Sequence, residues 1–155
     1  MRAILQRVTT ASVAVDGEMV GAIGPGVCIF VSVGPADTEA ISHHLAERVA
    51  TLRIHADESG RMNRDLGAGG GAALVVPQFT LHAETHRGHR PSFDGAAARD
   101  RARALCDAFA EALRSLGLEV ACGQFGAHMH VEIHNDGPVT IVLSSGEDPW
   151  NADAG

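Results

Sequence analysis

The stretch from Val27 to Val33 constrains the fold more than any other part of the chain. It reads Val-Cys-Ile-Phe-Val-Ser-Val, so apolar side chains occupy both of the alternating faces that a strand has. A strand of this kind is typical of the centre of a sheet that is covered on both sides. The rest of the chain must therefore supply a layer of structure for each face.

The segments around this run are candidates for those layers. Apolar patterning predicts strands at 2–8, 11–15, 18–23, 72–76, 118–124, 128–134 and 138–143, with a short strand near 52–56. The Asp16-Gly17 pair predicts a hairpin turn. Helical spacing predicts one helix from Asp37 or Thr38 to about Leu52 and another from about Ala96 to Leu116. We therefore expect one α+β domain with a mostly antiparallel, barrel-like sheet and two main helices.

The length and composition fit a single globular unit of 155 residues, with 45% hydrophobic and 20% charged residues. We expect the domain to cover residues 1–143 and the polar segment 144–155 to form a disordered tail. Charge interrupts the N-terminal segment too early for a signal peptide, and no apolar run reaches the roughly 18 residues of a membrane span. We therefore expect a cytoplasmic protein with no membrane partner.

The basic residues are all arginine, and 12 of them against 19 acids give a net charge of −7. This sign does not favour a general nucleic-acid binder, so a polyanionic partner would have to meet a local patch. The loop 86–90, which contains Arg87 and Arg90, is the candidate, and three further arginines follow it within 99–103. A solvated loop and helix face explain the same charges, so composition leaves both interpretations open.

The dipeptide Gly137-Pro138, within Asn135-Asp136-Gly137-Pro138-Val139-Thr140, combines three properties. Glycine has no β-carbon, so its backbone can approach a ligand closely. An X-Pro bond can be cis at a cost of about 0.5–1 kcal/mol, and proline has no N–H to donate. Such a turn presents a hard wall of carbonyl oxygens without side chains. An ordinary hairpin turn is the alternative, since Gly-Pro and Asn-Asp-Gly are common turn signals.

The histidines and cysteines do not form a complete metal site in the sequence. His128, His130, Glu132 and His134 alternate with apolar residues, which on a strand places them on one face. Two ligands at i and i+2 can hold zinc, but the same alternation is typical of any strand with one solvated face. Three widely spaced cysteines favour reduced thiols over disulfides. We expect neither a metal nor another cofactor.

Side chains suited to nucleophilic catalysis are sparse. Thr80, at the end of a predicted strand, is the one hydroxyl in a suggestive place, but it needs an adjacent base and can equally satisfy backbone groups there. A second interpretation needs no special side chain. The backbone N–H groups of Gln78, Phe79 and Thr80 would stabilise a developing oxyanion, with Pro77 fixing the backbone just before them.

Several short motifs occur together and in order along the chain. They are Met1-Arg2-Ala3, Gln6-Arg7-Val8, Ala11-Ser12-Val13, Gln78-Phe79-Thr80-Leu81, Arg90-Pro91-Ser92-Phe93 and Asn135-x-Gly137-Pro138-Val139-Thr140. With this set the chain resembles the D-aminoacyl-tRNA deacylase (D-tyrosyl-tRNA deacylase) family from Met1 to about Leu143.

The resemblance implies a homodimer that hydrolyses the ester between a D-amino acid, or glycine, and the 3′-terminal adenosine of tRNA. It implies a cis Gly137-Pro138 bond whose turn enters the partner's active site and excludes an L side chain. Arg7 would brace this turn, and Asn135 belongs to the same motif. Phe79, with the backbone of Gln78 and Thr80, would receive the adenosine and the scissile carbonyl. The 2′-hydroxyl of the terminal ribose would assist catalysis. The charge pattern, rather than the resemblance, makes Arg87 and Arg90 the candidate contacts for the tRNA.

The chain departs from the family pattern at Pro77, where the family usually has serine. A sister branch of relaxed chirality, which acts on certain mis-acylated L-aminoacyl-tRNAs, also has proline there but carries alanine in place of Phe79. Arg7 and Phe79 therefore indicate the D-specific branch, while Pro77 leaves the stringency against L substrates open. The alternatives are a deacylase of the relaxed kind and a non-catalytic RNA- or nucleotide-binding module.

Overall fold

The computed structural model describes residues 1–86 and 88–145. The strands are β1 (Arg2–Val15), β2 (Glu18–Ile23), β3 (Gly26–Ser32), β4 (His55–Ala56), β5 (Met62–Arg64), β6 (Ala72–Pro77), β7 (Val120–Cys122) and β8 (His130–Ser144). The helices are α1 (Glu39–Thr51) and α2 (Arg99–Ser115), with a short 3₁₀ helix at Phe79–His82. One sheet has the order β2-β1-β3-β6-β7 with β8 also paired to β1, while β4 and β5 form a separate hairpin. The α+β prediction is confirmed.

β1 is the strand around which the sheet is organised. Its first half pairs with β3, its second half pairs with β2, and β8 runs antiparallel to it along the other edge. The two strands predicted at 2–8 and 11–15 are thus one continuous strand. Asp16 and Gly17 both take positive φ values, 51° and 83°, which is the hairpin turn that this pair predicts.

β3 is buried on both faces, as its apolar sequence predicts. Val27, Ile29 and Val31 belong to a core cluster that contains the apolar faces of α1 and α2. Cys28 points the other way, into a second cluster built from β1, β2 and β6. Burial raises the pKa of the Cys28 thiol to about 12, so this cysteine is a structural core residue.

The entry to α1 separates the roles of two residues that were both candidate caps. The Thr38 hydroxyl accepts a hydrogen bond from the Ile41 amide at 3.3 Å, which makes Thr38 the cap. The Asp37 carboxylate instead accepts from the Gly34 amide at 2.6 Å and from the amino group of Met1 at 2.5 Å. Asp37 therefore joins the loop after β3 to the start of β1.

α2 begins at Arg99, three residues later than the sequence predicts, and packs against α1 through its apolar stripe. Leu105, Phe109 and Leu113 are buried on that stripe. The Ser42 hydroxyl of α1 donates to the Leu105 carbonyl at 2.9 Å. Gly117, with φ of 84°, follows the helix in the left-handed conformation that glycine favours.

The two ends of the sheet come close together at Gly21 of β2. A β-carbon at this position would lie 2.8 Å from the carbonyl oxygen of Cys122 in β7. Only glycine allows so close an approach without movement. The sheet is therefore nearly closed.

β8 merges two predicted strands, 128–134 and 138–143, into one strand that reaches Ser144. The Ser145 amide donates to the Met1 carbonyl at 2.9 Å, so ordered structure extends two residues into the predicted tail. The rest of that tail, 146–155, lies outside the described residues. In the described ranges no helix has both the length and the hydropathy of a membrane-spanning segment.

Candidate active site

The Gly137-Pro138 dipeptide lies in a bulge within β8, and the hairpin alternative is wrong. Gln6 of β1 pairs with Thr140 and Val8 pairs with Asn135, so Arg7 alone lies opposite residues 136–139. The extra residues loop out of a strand that stays paired to β1 before and after them. The Gly137–Pro138 peptide bond is cis, as the resemblance implies.

The Asn135 side chain closes the base of this bulge. Its Oδ1 accepts from the Val139 amide at 2.9 Å, and its Nδ2 lies 3.3 Å from the Val139 carbonyl oxygen. Gly137 has φ of 153°, and a β-carbon there would lie 2.5 Å from the Val139 nitrogen. The tip of the bulge therefore requires glycine, and both Gly137 and Pro138 are exposed.

Arg7 braces the bulge from β1. Its Nε donates to the Asp136 carbonyl at 2.9 Å and lies 3.2 Å from a carboxylate oxygen of the same residue. Its Nη1 donates to the Ile54 carbonyl, just before β4, at 2.6 Å. One guanidinium thus joins the bulge to the segment that leads into the β4–β5 hairpin. The planar group suits this task because its donors point in fixed directions.

His55 lies beside this brace and was not anticipated from the sequence. Its Nε2 is buried and finds no hydrogen-bond partner among the described residues. Burial and then the positive charge of Arg7 lower the pKa of His55, while the carboxylates of Asp136 and Asp65 oppose the shift. The neutral imidazole is therefore favoured next to Arg7.

The chain after β6 turns into the 3₁₀ helix, and this limits which backbone donors are available. The Gln78 amide donates to the Val31 carbonyl at 2.8 Å, so it continues the ladder between β6 and β3. The amides of Phe79 and Thr80 have no acceptor among the described residues. The Gln78 side-chain amide contacts the Thr80 hydroxyl. Of the three predicted donors, Phe79 and Thr80 stay available, and the Thr80 hydroxyl has a local partner.

An open cavity of about 450 Å³ lies at the start of the 3₁₀ helix, where Phe79 forms part of its wall. Phe79 lines it with 57% of its surface exposed, and its ring meets that of Phe93 edge-on at a centroid distance of 5.1 Å. Pro77, Phe125 and Arg99 lie on other walls. Aromatic and aliphatic walls beside free backbone donors can hold a flat ring system and an oxygen that gains charge.

Ser32 of β3 contacts the 3₁₀ helix through its hydroxyl. Its buried hydroxyl lies 2.6 Å from Nδ1 of His82 and 3.5 Å from the Phe79 carbonyl oxygen. Sequence reasoning missed Ser32, because a serine inside an apolar strand carries no local signal. It also missed Phe125 and Arg99 as cavity residues, since both come from segments far from Phe79 in the chain.

The other basic candidates and the metal-ligating candidates are described by their exposure. Arg90 is exposed in the loop before α2, and Arg87 lies outside the described residues. His128, His130, Glu132 and His134 are all exposed and alternate with half-buried residues, as predicted. In the described part of the chain, no three histidine, cysteine or acidic side chains converge as metal ligands would.

A comparison with protein families decides the relationship. A family model described as D-Tyr-tRNA(Tyr) deacylase matches residues 4–144. The chain belongs to this family. The D-aminoacyl-tRNA deacylase of Roseiflexus castenholzii is 57% identical over 145 residues, covering 94% of this chain and 92% of its own. That of Paracoccus denitrificans is 52% identical over 147 residues, covering 95% and 99%.

Solved structures agree with the deacylase family at the level of the fold. The c-Myc DNA unwinding element binding protein has a TM-score of 0.88 at 39% identity, covering 94% of this chain and 99% of its own. A probable eukaryotic D-amino acid tRNA deacylase has a TM-score of 0.78 at 19% identity, covering 92% and 97%. The family is one of hydrolases, so the prediction of an enzyme is confirmed. The matched range contains the bulge, Arg7 and the Phe79 cavity.

Proposed function

We propose that the chain hydrolyses the ester of D-aminoacyl-tRNA, and of glycine mischarged on tRNA, at the 3′-terminal adenosine. Membership of the deacylase family supports the reaction class. The observation that carries the proposal is the bulge at Gly137 and Pro138, because Asn135 and Arg7 hold it by hydrogen bonds at 2.9–3.3 Å. A surface held in this way can discriminate by shape, since it does not adapt to the substrate.

The terminal adenosine binds in the Phe79 cavity. Stacking of one base on an aromatic side chain contributes about 1–3 kcal/mol by alanine substitution, and Phe79 and Phe93 offer such surfaces. This position brings the ester carbonyl to the start of the 3₁₀ helix. The amides of Phe79 and Thr80 then donate to the oxyanion of the tetrahedral intermediate, typically a factor of about 10²–10³ for each donor.

The 2′-hydroxyl of the terminal ribose assists the attack on the ester, and the protein contributes binding and backbone donors. Two observations support this division of labour. The Thr80 hydroxyl contacts the Gln78 side chain rather than a base. Burial raises the pKa values of Cys28 and Cys106 to about 12, which leaves both thiols protonated at neutral pH.

Handedness is selected by a second copy of the chain in a homodimer. Gly137 and Pro138 of one subunit enter the Phe79 cavity of the other and stand where the side chain of an L-amino acid would lie. The exposure of both residues in a single chain supports this arrangement. Val142, which is 52% exposed on the same strand, supports an apolar contact near the bulge.

The test is deacylation of matched D-Tyr-tRNA and L-Tyr-tRNA by the purified protein with metal chelated. Rapid hydrolysis of the D ester with the L ester spared supports the proposal, and Gly-tRNA should be cleaved because glycine has no side chain to exclude. Binding of tRNA without turnover would indicate a non-catalytic module instead. Size-exclusion chromatography with light scattering tests the dimer.

A deacylase of relaxed chirality is the second candidate, and Pro77 favours it. Pro77 stands where the family usually has serine, and it lines the Phe79 cavity. Loss of L-Ala from a mismatched tRNA at a rate comparable with D-Tyr-tRNA would favour this candidate. Pro77→Ser should then restore rejection of the L ester.

A further inference from the structure

A second cavity lies beside the Phe79 cavity, between α2 and β7. It measures about 620 Å³, and Pro77 and Phe125 line both cavities, so the two adjoin. Its polar groups come from Arg103 and Asp107 of α2 and from Gln124 after β7. The reaction proposed above leaves this cavity without a ligand.

Arg99 and Arg103 stand along the two adjoining cavities. They are one helical turn apart on α2, so their β-carbons are about 5–6 Å apart on one face. Arg99 lines the Phe79 cavity and lies against Gly126, where a β-carbon would be 2.6 Å from its Nη2. Arg103 lines the second cavity, and its guanidinium carbon is 5.7 Å from the centroid of the Phe125 ring.

Both guanidinium groups are exposed, and their charge is not neutralised locally. Within residues 1–86 and 88–145, no carboxylate lies within 4.0 Å of either group, although Asp100 and Asp107 are on the same helix. Arg101, between them in sequence, differs because its Nη2 donates to the Asp37 carbonyl at 2.6 Å. Arg101 therefore joins α2 to the loop before α1, whereas its two neighbours are available to an anion.

We propose that the cavity between α2 and β7 binds the nucleotide that precedes the terminal adenosine, and that Arg103 on its wall and Arg99 on the wall of the adjoining Phe79 cavity bind the flanking backbone phosphates. This site rests on the proposed function, which puts the adenosine in the adjoining cavity. Single-stranded RNA is bound by cations along its backbone and by stacking of its bases on aromatic rings and guanidinium planes. In a chain of net charge −7, such a local pair of cations guides the acceptor end to the site.

The walls of the cavity suit a nucleotide. Arg103 with the Phe125 ring offers a surface for stacking. The amide of Gln124 can both donate and accept, and the carboxylate of Asp107 can accept from an exocyclic amino group. These groups match the hydrogen-bonding edge of a base, while the two arginines match its flanking phosphates.

The experiment compares D-Tyr-tRNA with 3′-D-tyrosyl-adenosine, which has the terminal nucleoside but no phosphate. Arg103→Gln should lower the ratio of kcat/KM for the tRNA ester to that for the adenosine ester by about tenfold. The loss should lie in KM for the tRNA, with kcat nearly constant. The slope of log KM against log salt concentration should decrease by about 0.7 for each lost phosphate contact.

Arg61→Gln is the matched control, since it removes the same charge from an exposed arginine that lines neither cavity. Arg61 lies between β4 and β5, and its Nε donates to the Ser59 hydroxyl at 3.0 Å. Its ratio should equal that of the wild type, and thermal denaturation verifies that all variants fold.

The outcomes separate the two proposals. A ratio unchanged in Arg103→Gln, or lowered equally in Arg61→Gln, overturns the second site while the deacylase function stands. Equal losses on both substrates also overturn it, because they indicate damage to the adenosine cavity. If the wild type hydrolyses neither the tRNA ester nor the adenosine ester, the proposed function is overturned, and the second site with it.

Discussion

Asn135 and Val139 are joined through a single side-chain amide, whose oxygen accepts from the Val139 N–H at 2.9 Å while its nitrogen lies 3.3 Å from the Val139 carbonyl oxygen. The amide replaces the backbone partner that Val139 would have in a regular ladder. It thereby closes the loop that carries Gly137 and Pro138. The base of the bulge therefore depends on this side chain, while Arg7 braces the bulge at Asp136.

Asn135→Ala should therefore destabilise the fold and loosen the bulge. Leaving partly buried backbone groups of Val139 unpaired costs about 1–3 kcal/mol, measurable as a lower urea midpoint. The ratio of D-Tyr-tRNA to L-Tyr-tRNA hydrolysis should fall as well. Asn135→Asp keeps the acceptor and loses the donor, so an effect larger than that of Asn135→Ala would contradict this account.

Gly137→Ala should impair turnover more than stability. The new β-carbon would lie 2.5 Å from the Val139 nitrogen, so the tip of the bulge has to move. Gly17→Ala is the matched control, since Gly17 also has positive φ, 83°, but open space around it. Both variants carry a strain of about 1–3 kcal/mol, while only Gly137→Ala should reduce kcat/KM for D-Tyr-tRNA. Equal kcat/KM values in the two variants would show that the tip of the bulge does not take part in the reaction.

Arg7→Lys should lower activity although it keeps the charge. The guanidinium donates to the Asp136 and Ile54 carbonyls in two directions, and one ammonium group cannot reproduce that fork. We expect kcat/KM for D-Tyr-tRNA to fall about tenfold, as loss of one charged hydrogen bond would cause. Arg53→Lys, whose guanidinium bonds Asn63 at the β4–β5 hairpin, controls for arginine replacement nearby. A wild-type rate in Arg7→Lys would show that charge alone suffices.

Thr80→Ala should reduce the rate of deacylation by less than about tenfold, because Thr80 contributes its backbone amide to the oxyanion and not its hydroxyl. A tRNA ending in 2′-deoxyadenosine, acylated at its 3′-hydroxyl, should lower the rate by about 10²–10⁴, the usual range for a lost acid–base group. Single-turnover kinetics with both changes, alone and together, gives the comparison. The opposite ranking would assign the chemistry to the Thr80 side chain.

His55 should make the fold less stable in mild acid. Its pKa is lowered from 6.5 in the folded chain, so the unfolded chain binds the proton first as the pH falls. The stability contributed by the neutral imidazole is complete above pH 6.5 and declines below it. The urea midpoint of His55→Gln should therefore fall less than that of the wild type between about pH 7 and 5. His44→Gln, at an exposed position on α1, controls for the loss of an imidazole elsewhere.

The sequence predicts those parts of the fold that local chemistry determines. The Asp16-Gly17 hairpin follows from two residues that tolerate positive φ, and α1 follows from a capping threonine and an apolar stripe. The double-sided burial of β3 follows from its continuous apolar run. Each of these features depends only on residues that are close together in the sequence.

The features that the sequence misses depend on pairing between distant segments. The strand pattern of β8 is interrupted at Gly137-Pro138, so it indicates a turn, and only the register with β1 makes it a bulge. The Gln78 amide donates to the Val31 carbonyl and is therefore not available to a substrate. This pairing joins distant segments and has no local signal in the sequence. Among the site residues, Arg7 could be assigned only through the family motif, because a lone arginine on a strand has no pattern of its own.

β8 pairs with β1 on both sides of Gly137-Pro138. The register between these two strands therefore determines where the dipeptide lies. A slip of one residue along β1 would carry it about 3.3 Å along the strand and turn it toward the opposite face. Under the proposed function, chiral selectivity would therefore depend on strand alignment as much as on the dipeptide itself. Substitutions in β1 or β3 that never meet a substrate can therefore alter which enantiomer is accepted.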